Sequence, residues 1–160
     1  MKNKALFGRG CFWGTQYVFQ NEKGIIKTTV GYTGGNVKDP SYEQVCSGTT
    51  GHVEAMEIEF DPKIISYEKL LRLFFETHNP TQGNGQCPDI GSQYLSKIFY
   101  FNDEQKKIAE KLIQILEEKG MQIATKLEKA KLFYKAEEYH QNYFQKTGRT
   151  PVCHIYKKLF

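Results

Sequence analysis

The chain has 160 residues, of which 39% are hydrophobic, 14% aromatic and 25% charged, the make-up of a globular domain with enough apolar material for a core. A formal net charge of +4 comes from 22 Lys and Arg against 18 Asp and Glu. The basic residues are spread over polar helix faces without a run or stripe, which excludes a charge-driven nucleic-acid or membrane surface.

Met1-Lys2-Asn3-Lys4 leads straight into an apolar strand pattern, with no long apolar region or cleavage site behind it and no window of transmembrane length. The expectation is a cytoplasmic protein with a single catalytic domain over 1–160, in which 147–160 is an irregular C-terminal tail. In that compartment the four cysteines, Cys11, Cys46, Cys87 and Cys153, are reduced, and a disulfide among them is catalytic rather than structural.

Ala5-Leu6-Phe7 reads as the opening strand, and Phe12 to Phe19 as a buried helix that Gly24 separates from the next unit. Ile25 to Thr33 is rich in β-branched residues and reads as a strand stopped by Gly34-Gly35. Ser41-Tyr42-Glu43-Gln44 has capping-box spacing and predicts a short helical turn. His52 to Phe60 is the clearest strand: a period of two puts His52, Glu54, Met56, Ile58 and Phe60 on one face and Glu57 and Glu59 on the other. Ser66 caps a helix whose apolar stripe is Tyr67, Leu70, Leu71, Phe74, Phe75 and His78.

From Asn79 to Ser92 the periodicity vanishes among Pro80, Gly83, Gly85, Pro88 and Gly91, and so long a loop in a compact domain points to function. Tyr94 to Phe101 reads as a strand and Asp103 to Lys119 as a helix with Ile108, Leu112, Ile115 and Leu116 inward. Ile123 to Leu127 and Leu132 to Tyr134 are predicted strands, and Ala136 to Lys146 a last helix with Tyr139, His140, Tyr143 and Phe144 on one side. This order predicts an α+β domain with helices packed on a mixed β-sheet, a two-layer sandwich with a ferredoxin-like core.

Cys11 stands between glycines in Gly10-Cys11-Phe12-Trp13-Gly14, at the first turn of the first helix. Unpaired N–H groups and the helix dipole favour an anion there, so the thiol is expected to fall from a pKa of about 8.5 into the roughly 3.5–7.5 range. Glu54 is an acid on an otherwise apolar strand face; desolvation raises such a carboxyl and makes it a proton donor, unless a lysine pairs with it. A zinc site is not expected, because no CxxC or HxxxH pair supplies two ligands on one turn. A cysteine hydrolase or acyltransferase is a rival, with Cys11 paired to His52, His78 or His140. A non-catalytic aromatic cage for a methylated or thioether ligand is another.

Taken in order, Gly10-Cys11-Phe12-Trp13-Gly14, Gly31-Tyr32-Thr33-Gly34-Gly35, Tyr42-Glu43-Gln44-Val45-Cys46-Ser47-Gly48, Thr50-Gly51-His52-Val53-Glu54, His78-Asn79-Pro80-Thr81, Asp89-Ile90-Gly91-Ser92-Gln93-Tyr94 and Ala136-Glu137-Glu138-Tyr139-His140-Gln141 resemble consecutive blocks of the peptide methionine sulfoxide reductase A family. The resemblance implies reduction of the S epimer of methionine sulfoxide, free or in proteins, without a cofactor. It makes Cys11 the nucleophile, left as a sulfenic acid, and Glu54 the proton donor to the sulfoxide oxygen. Tyr42 and Tyr94 become hydrogen-bond donors to that oxygen, Asp89 a supporting acid, and Phe12 and Trp13 the holders of the S-methyl group.

The resemblance also implies a resolving cysteine and a thioredoxin-like reductant acting on a monomer. Cys153, in the tail Thr147-Gly148-Arg149-Thr150-Pro151-Val152-Cys153, is favoured for the resolving role over Cys87, the third alternative being a single-cysteine enzyme recycled by an external thiol. Cys87 stands in Gly85-Gln86-Cys87 where the family more often has Arg-Gln-Gly, and Leu95 replaces the arginine usual after Tyr94. Cys46 is read as a packing residue.

Overall fold

The computed structural model describes residues 3–86, 89–148 and 156–160. Cys87 and Cys153, the two candidates for the resolving role, lie outside the described residues.

Strand β1 (Asn3–Arg9) runs into helix α1 (Phe12–Phe19), followed by β2 (Ile25–Thr33), α2 (Tyr42–Cys46), β3 (Val53–Phe60) and α3 (Tyr67–Glu76). The segment after α3 holds a small hairpin, β4 (Gly85–Gln86) with β5 (Asp89–Ile90), and a 3-10 turn at Ser92–Tyr94. Then come β6 (Ser96–Tyr100), α4 (Asp103–Glu118), β7 (Lys126–Lys129), β8 (Phe133–Lys135), a 3-10 turn at Glu138–His140 and α5 (Tyr143–Thr147).

Six strands form one mixed sheet in the order β7-β6-β1-β3-β2-β8. Its four central strands, β6-β1-β3-β2, are antiparallel, while β7 lies parallel to β6 at one edge. With α1 and α3 as the connections, β1-α1-β2-β3-α3-β6 is the ferredoxin-like arrangement expected from the sequence. Phe7 shows how the helices are fastened: its ring lies 6.0 Å from Phe19 of α1 and 5.0 Å from Phe74 and 6.1 Å from Tyr67 of α3. Complete burial of one such ring contributes roughly 1.5–3 kcal/mol, and Phe74→Ala would cost about 3–5 kcal/mol.

Local chemistry sets the helix starts. Ser41 Oγ accepts from Gln44 N–H at 3.1 Å while the Gln44 side chain accepts from Ser41 N–H at 2.8 Å, so the capping box closes both ways. Ser66 Oγ accepts from Lys69 N–H at 3.1 Å, and Tyr67, Leu70, Leu71, Phe74 and Phe75 are buried as the stripe requires.

Three elements depart from expectation. The strand expected over Ile123 to Leu127 lies at Lys126–Lys129 instead. Tyr94 is not in a strand: it ends the 3-10 turn, and β6 begins at Ser96. Residues 136–146 do not form one helix, because Asn142 adopts a left-handed conformation (φ 56°) between the 3-10 turn and α5. Asn tolerates that conformation, and the break lets Asn142 N–H donate to Gln16 Oε1 on α1 at 2.6 Å.

Arg9 is buried among these elements with 0% exposure. Its Nη2 donates to the Thr77 carbonyl at the end of α3, while Nε and Nη1 have no partner among the described residues. Burial pulls its pKa down to about 9.

Candidate active site

Gly10 makes the turn from β1 into α1 with φ 87°, and a Cβ there would stand 2.6 Å from Gln86 Cβ. Only glycine meets both demands, and the close approach fixes the 79–86 loop over the turn that carries Cys11. Gln86 secures the loop in turn by donating to the Asn79 carbonyl at 2.9 Å.

Cys11 is the N-cap residue of α1, and the Trp13 and Gly14 N–H groups point to its sulfur and lower its pKa. They do not prevail. Burial and then the nearby Glu54 carboxyl push the Cys11 pKa up to about 12, so the resting group is a thiol. The expected depression assumed an exposed helix terminus; here the desolvation of a buried thiolate outweighs the two amides.

Glu54, 1% exposed, sits in β3 opposite Tyr32 of β2 on the face that α1 covers. Its Oε1 accepts from Phe12 N–H at 3.2 Å, and its Oε2 has no partner among the described residues. No ion pair to Glu54 is formed among those residues, so a lysine does not neutralise it. Burial pushes its pKa up to about 8; the Phe12 amide works against this and Asp89 adds to it.

Tyr42, at the start of α2, and Tyr94, at the end of the 3-10 turn, both lie within electrostatic reach of Glu54, and Tyr94 also of Cys11 and Asp89. Burial is the main cause that raises both phenols, so both remain O–H donors. Asp89, in β5, is half-buried, and burial raises its pKa as well. Cys46 is exposed rather than packed, and its thiol hydrogen-bonds with Tyr42.

Phe12 is fully buried, packed on Tyr32 at 5.6 Å and His140 at 5.2 Å, whereas Trp13 keeps part of its surface free. Trp13 is held from two sides. Its Nε1–H donates to His140 Nδ1 at 3.0 Å, and Tyr143 stacks on its indole at 3.8 Å. His140 is itself fully buried, and burial lowers its pKa. Glu137 lies below it, accepting from Tyr32 and Tyr139 hydroxyls, each at 3.3 Å. Glu137 and His140 were readable within the 136–141 block and Tyr143 on the expected 136–146 helix, but their role as a support for Trp13 was not.

The remaining histidines are occupied. His52 Nδ1 accepts from Gly35 N–H at 3.1 Å and its Nε2 donates to the Val37 carbonyl at 2.6 Å, which leaves no ring nitrogen for Cys11. His78 contacts the Phe74 carbonyl and Ser96 Oγ. A Cys11–His52 hydrolase pair is therefore not formed. Among the described residues no group of three or more His, Cys, Asp or Glu is placed to hold a metal ion. A cavity of about 430 Å³ lined by Ile65, Arg72, Leu73, Glu76 and Tyr156 among others contains none of the site residues.

The model of the peptide methionine sulfoxide reductase family matches residues 3–160. The chain belongs to that family. A peptide methionine sulfoxide reductase MsrA from Nautilia profundicola is 47% identical over 150 residues, covering 94% of this chain and 87% of that protein. One from Acinetobacter baumannii strain AYE is 49% identical over 152 residues, covering 95% and 88%. The crystal structure of reduced Mxr1 from Saccharomyces cerevisiae superposes with a TM-score of 0.90 at 34% identity, over 98% of this chain and 92% of that one. The protein is accordingly a methionine sulfoxide reductase of the MsrA type. No helix among the described residues is long and apolar enough to cross a membrane.

Proposed function

We propose that this enzyme reduces the S epimer of methionine sulfoxide, free or in proteins, at Cys11. The observation that carries the reading is the setting of Glu54: a buried carboxyl with Oε1 accepting from the Phe12 amide and Oε2 without a partner among the described residues, close enough for its charge to act on Cys11, and with its pKa raised by burial to about 8. Glu54 donates its proton towards the sulfoxide oxygen, and Tyr42 and Tyr94 donate hydrogen bonds to the same atom as negative charge gathers there. Asp89 supports the acid, since its charge favours the protonated form of Glu54. Trp13, braced by His140 and Tyr143, and Phe12 behind it receive the S-methyl group.

The sulfur of Cys11 gains the oxygen while the sulfoxide bond breaks, so that a thiol and a sulfoxide become a sulfenic acid and a thioether. Cys153 then attacks Cys11 Sγ; an S–S bond forms, the S–O bond breaks and water leaves. A thioredoxin-like dithiol supplies two electrons, restoring both thiols as it becomes a disulfide. The S-epimer preference rests on the family resemblance.

The test is Cys11→Ser with S- and R-methionine sulfoxide offered separately. The wild type should consume only the S form, with a dimedone-trappable sulfenic acid on Cys11, and the variant should consume neither. Turnover of the S form by Cys11→Ser at the wild-type rate would refute the assignment.

A further inference from the structure

The chain has a formal net charge of +4, yet the rim of the site is acidic. Trp13 donates to His140 at 3.0 Å, and two more rings pack on that imidazole, Tyr42 of α2 at 4.5 Å and Tyr139 at 3.9 Å. These contacts bring the start of α2 and the 3-10 turn at Glu138–His140 together beside Trp13. Tyr139 is 60% exposed, and its hydroxyl donates to Glu137 Oε2 at 3.3 Å. Glu43 follows Tyr42 and is exposed. It lies, with Glu137, within electrostatic reach of the Tyr139 phenol. An exposed ring is thus served by two carboxyls that come from different elements.

Neither carboxyl has a Lys or Arg partner among the described residues. Glu137 faces His140 Nε2 at 3.6 Å. His140 Nδ1 accepts from Trp13, and burial lowers the His140 pKa, so the ring is neutral and brings no charge. Its Nε2, fully buried and aimed at Glu137, has no hydrogen-bond partner among the described residues. Glu138 differs, since Lys135 pairs with it at 3.6 Å. An open aromatic face beside two uncompensated carboxyls suits a cation, which pairs with the acids and is drawn to the ring quadrupole. Deeper in, Glu54 is 1% exposed with Oε2 unpartnered among the described residues. With the sulfoxide oxygen directed there, the residues next to the methionine in a polypeptide, at about 3.8 Å between successive Cα atoms, are the ones that meet the rim.

We propose that Glu43, Glu137 and Tyr139 form a cation-selecting rim, so that the enzyme favours methionine sulfoxide flanked by Lys or Arg in an extended segment of an oxidised protein. The proposal rests on reduction of peptide-bound methionine sulfoxide at Cys11. Flanking acids meet like charge at the same place and are disfavoured. Each exposed ion pair or cation–ring contact of this kind changes an equilibrium constant by up to about fivefold, and the preference is screened by salt.

The test uses three blocked pentapeptides with a central S-methionine sulfoxide flanked on both sides by Lys, by Gln or by Glu. The reductant is dithiothreitol, so no protein partner contributes a charged surface. The readout is the ratio of kcat/KM for the Lys peptide to that for the Glu peptide, from which any general loss of activity in a variant cancels. At low ionic strength the wild type should show a ratio of at least about fivefold, with the Gln peptide between, and in about 0.5 M salt the ratio should fall below twofold. Glu43→Gln, Glu137→Gln and Tyr139→Leu should each lower the low-salt ratio at least about twofold, and Glu43→Lys should bring it to one or below. A wild-type ratio under twofold at low salt, a ratio that survives high salt, or a ratio unmoved by all four variants overturns the rim. A wild type that reduces none of the three peptides overturns the reading of peptide-bound sulfoxide as substrate, which keeps the two failures apart.

Discussion

Glu54→Gln keeps the acceptor for the Phe12 amide and removes only the titrating proton, so it separates what the carboxyl does in the reaction from what its burial costs the fold. In the folded protein the Glu54 pKa is raised, chiefly by burial, from 4.5 to about 8. Between those values the folded state keeps a proton that the unfolded state has lost, and stability falls as pH rises through the interval. At about 1.36 kcal/mol for each pH unit, the full penalty above pH 8 is on the order of 5 kcal/mol. The neutral amide of Glu54→Gln carries no such penalty. The variant should match the wild type in urea unfolding at pH 4 and exceed it by several kcal/mol at pH 9, while its sulfoxide step is about 10²–10⁴-fold slower. The wild-type sulfoxide step should itself decline above pH 8 as the donor ionises. A stability difference that stays constant from pH 4 to pH 9 would show that Glu54 titrates like an exposed carboxyl, and the proton-donor argument would fail with it.

The same pair of groups predicts the reactivity of the thiol. With Cys11 held up to about 12 by burial and then by Glu54, iodoacetamide should label it far more slowly than a free thiol at pH 7.5. At pH 9 Glu54→Gln should be labelled faster than wild type, because the carboxylate that opposes the thiolate is gone; equal rates would deny the coupling. Arg9 gives a prediction about stability alone. Its guanidinium is fully buried and, among the described residues, has one carbonyl partner, and replacing a buried charge by an apolar side chain of similar length is often neutral or stabilising by about 1–4 kcal/mol. Arg9→Met should therefore unfold at an equal or higher urea concentration, and a loss above about 1 kcal/mol would mean that the Thr77 contact outweighs desolvation.

What was legible in the sequence was whatever depends on local period and capping. Phe12–Phe19, Ile25–Thr33 and the Ser66-capped helix are found at the expected residues, and the two-residue period of β3 placed Glu54 on the covered face. What was not legible depended on contacts between distant segments. The apolar side chains of residues 136–146 fit a helix, but Asn142 trades helical backbone for a bond to Gln16, a residue 126 positions away. His52 looked available to Cys11 because its period agreed; its engagement by the Gly35 amide and Val37 carbonyl depends on a loop closure that no periodicity reports. The sign of the Cys11 shift escapes the sequence for a related reason, since a helix N-terminus argues for a thiolate only while water still reaches it.

That sign bears on the proposed reaction. At neutral pH Cys11 and Glu54 both hold their protons, so the empty site buries a neutral thiol beside a neutral acid and avoids two facing anions in a low dielectric. Conversion of a thiol and a sulfoxide into a sulfenic acid and a thioether needs no net proton from outside. A site that starts neutral thus needs only to move protons among Cys11, Glu54 and the sulfoxide oxygen. The sulfoxide supplies the missing element, a strongly polar S–O bond whose oxygen can take the Oε2 proton while the sulfur meets Cys11. Reactivity then appears when that bond arrives, and the resting thiol stays protected from alkylation and adventitious oxidation. Thiolate character before binding would forfeit this protection, which is why the slow labelling of Cys11 and the pH-dependent stability of Glu54→Gln test one and the same arrangement.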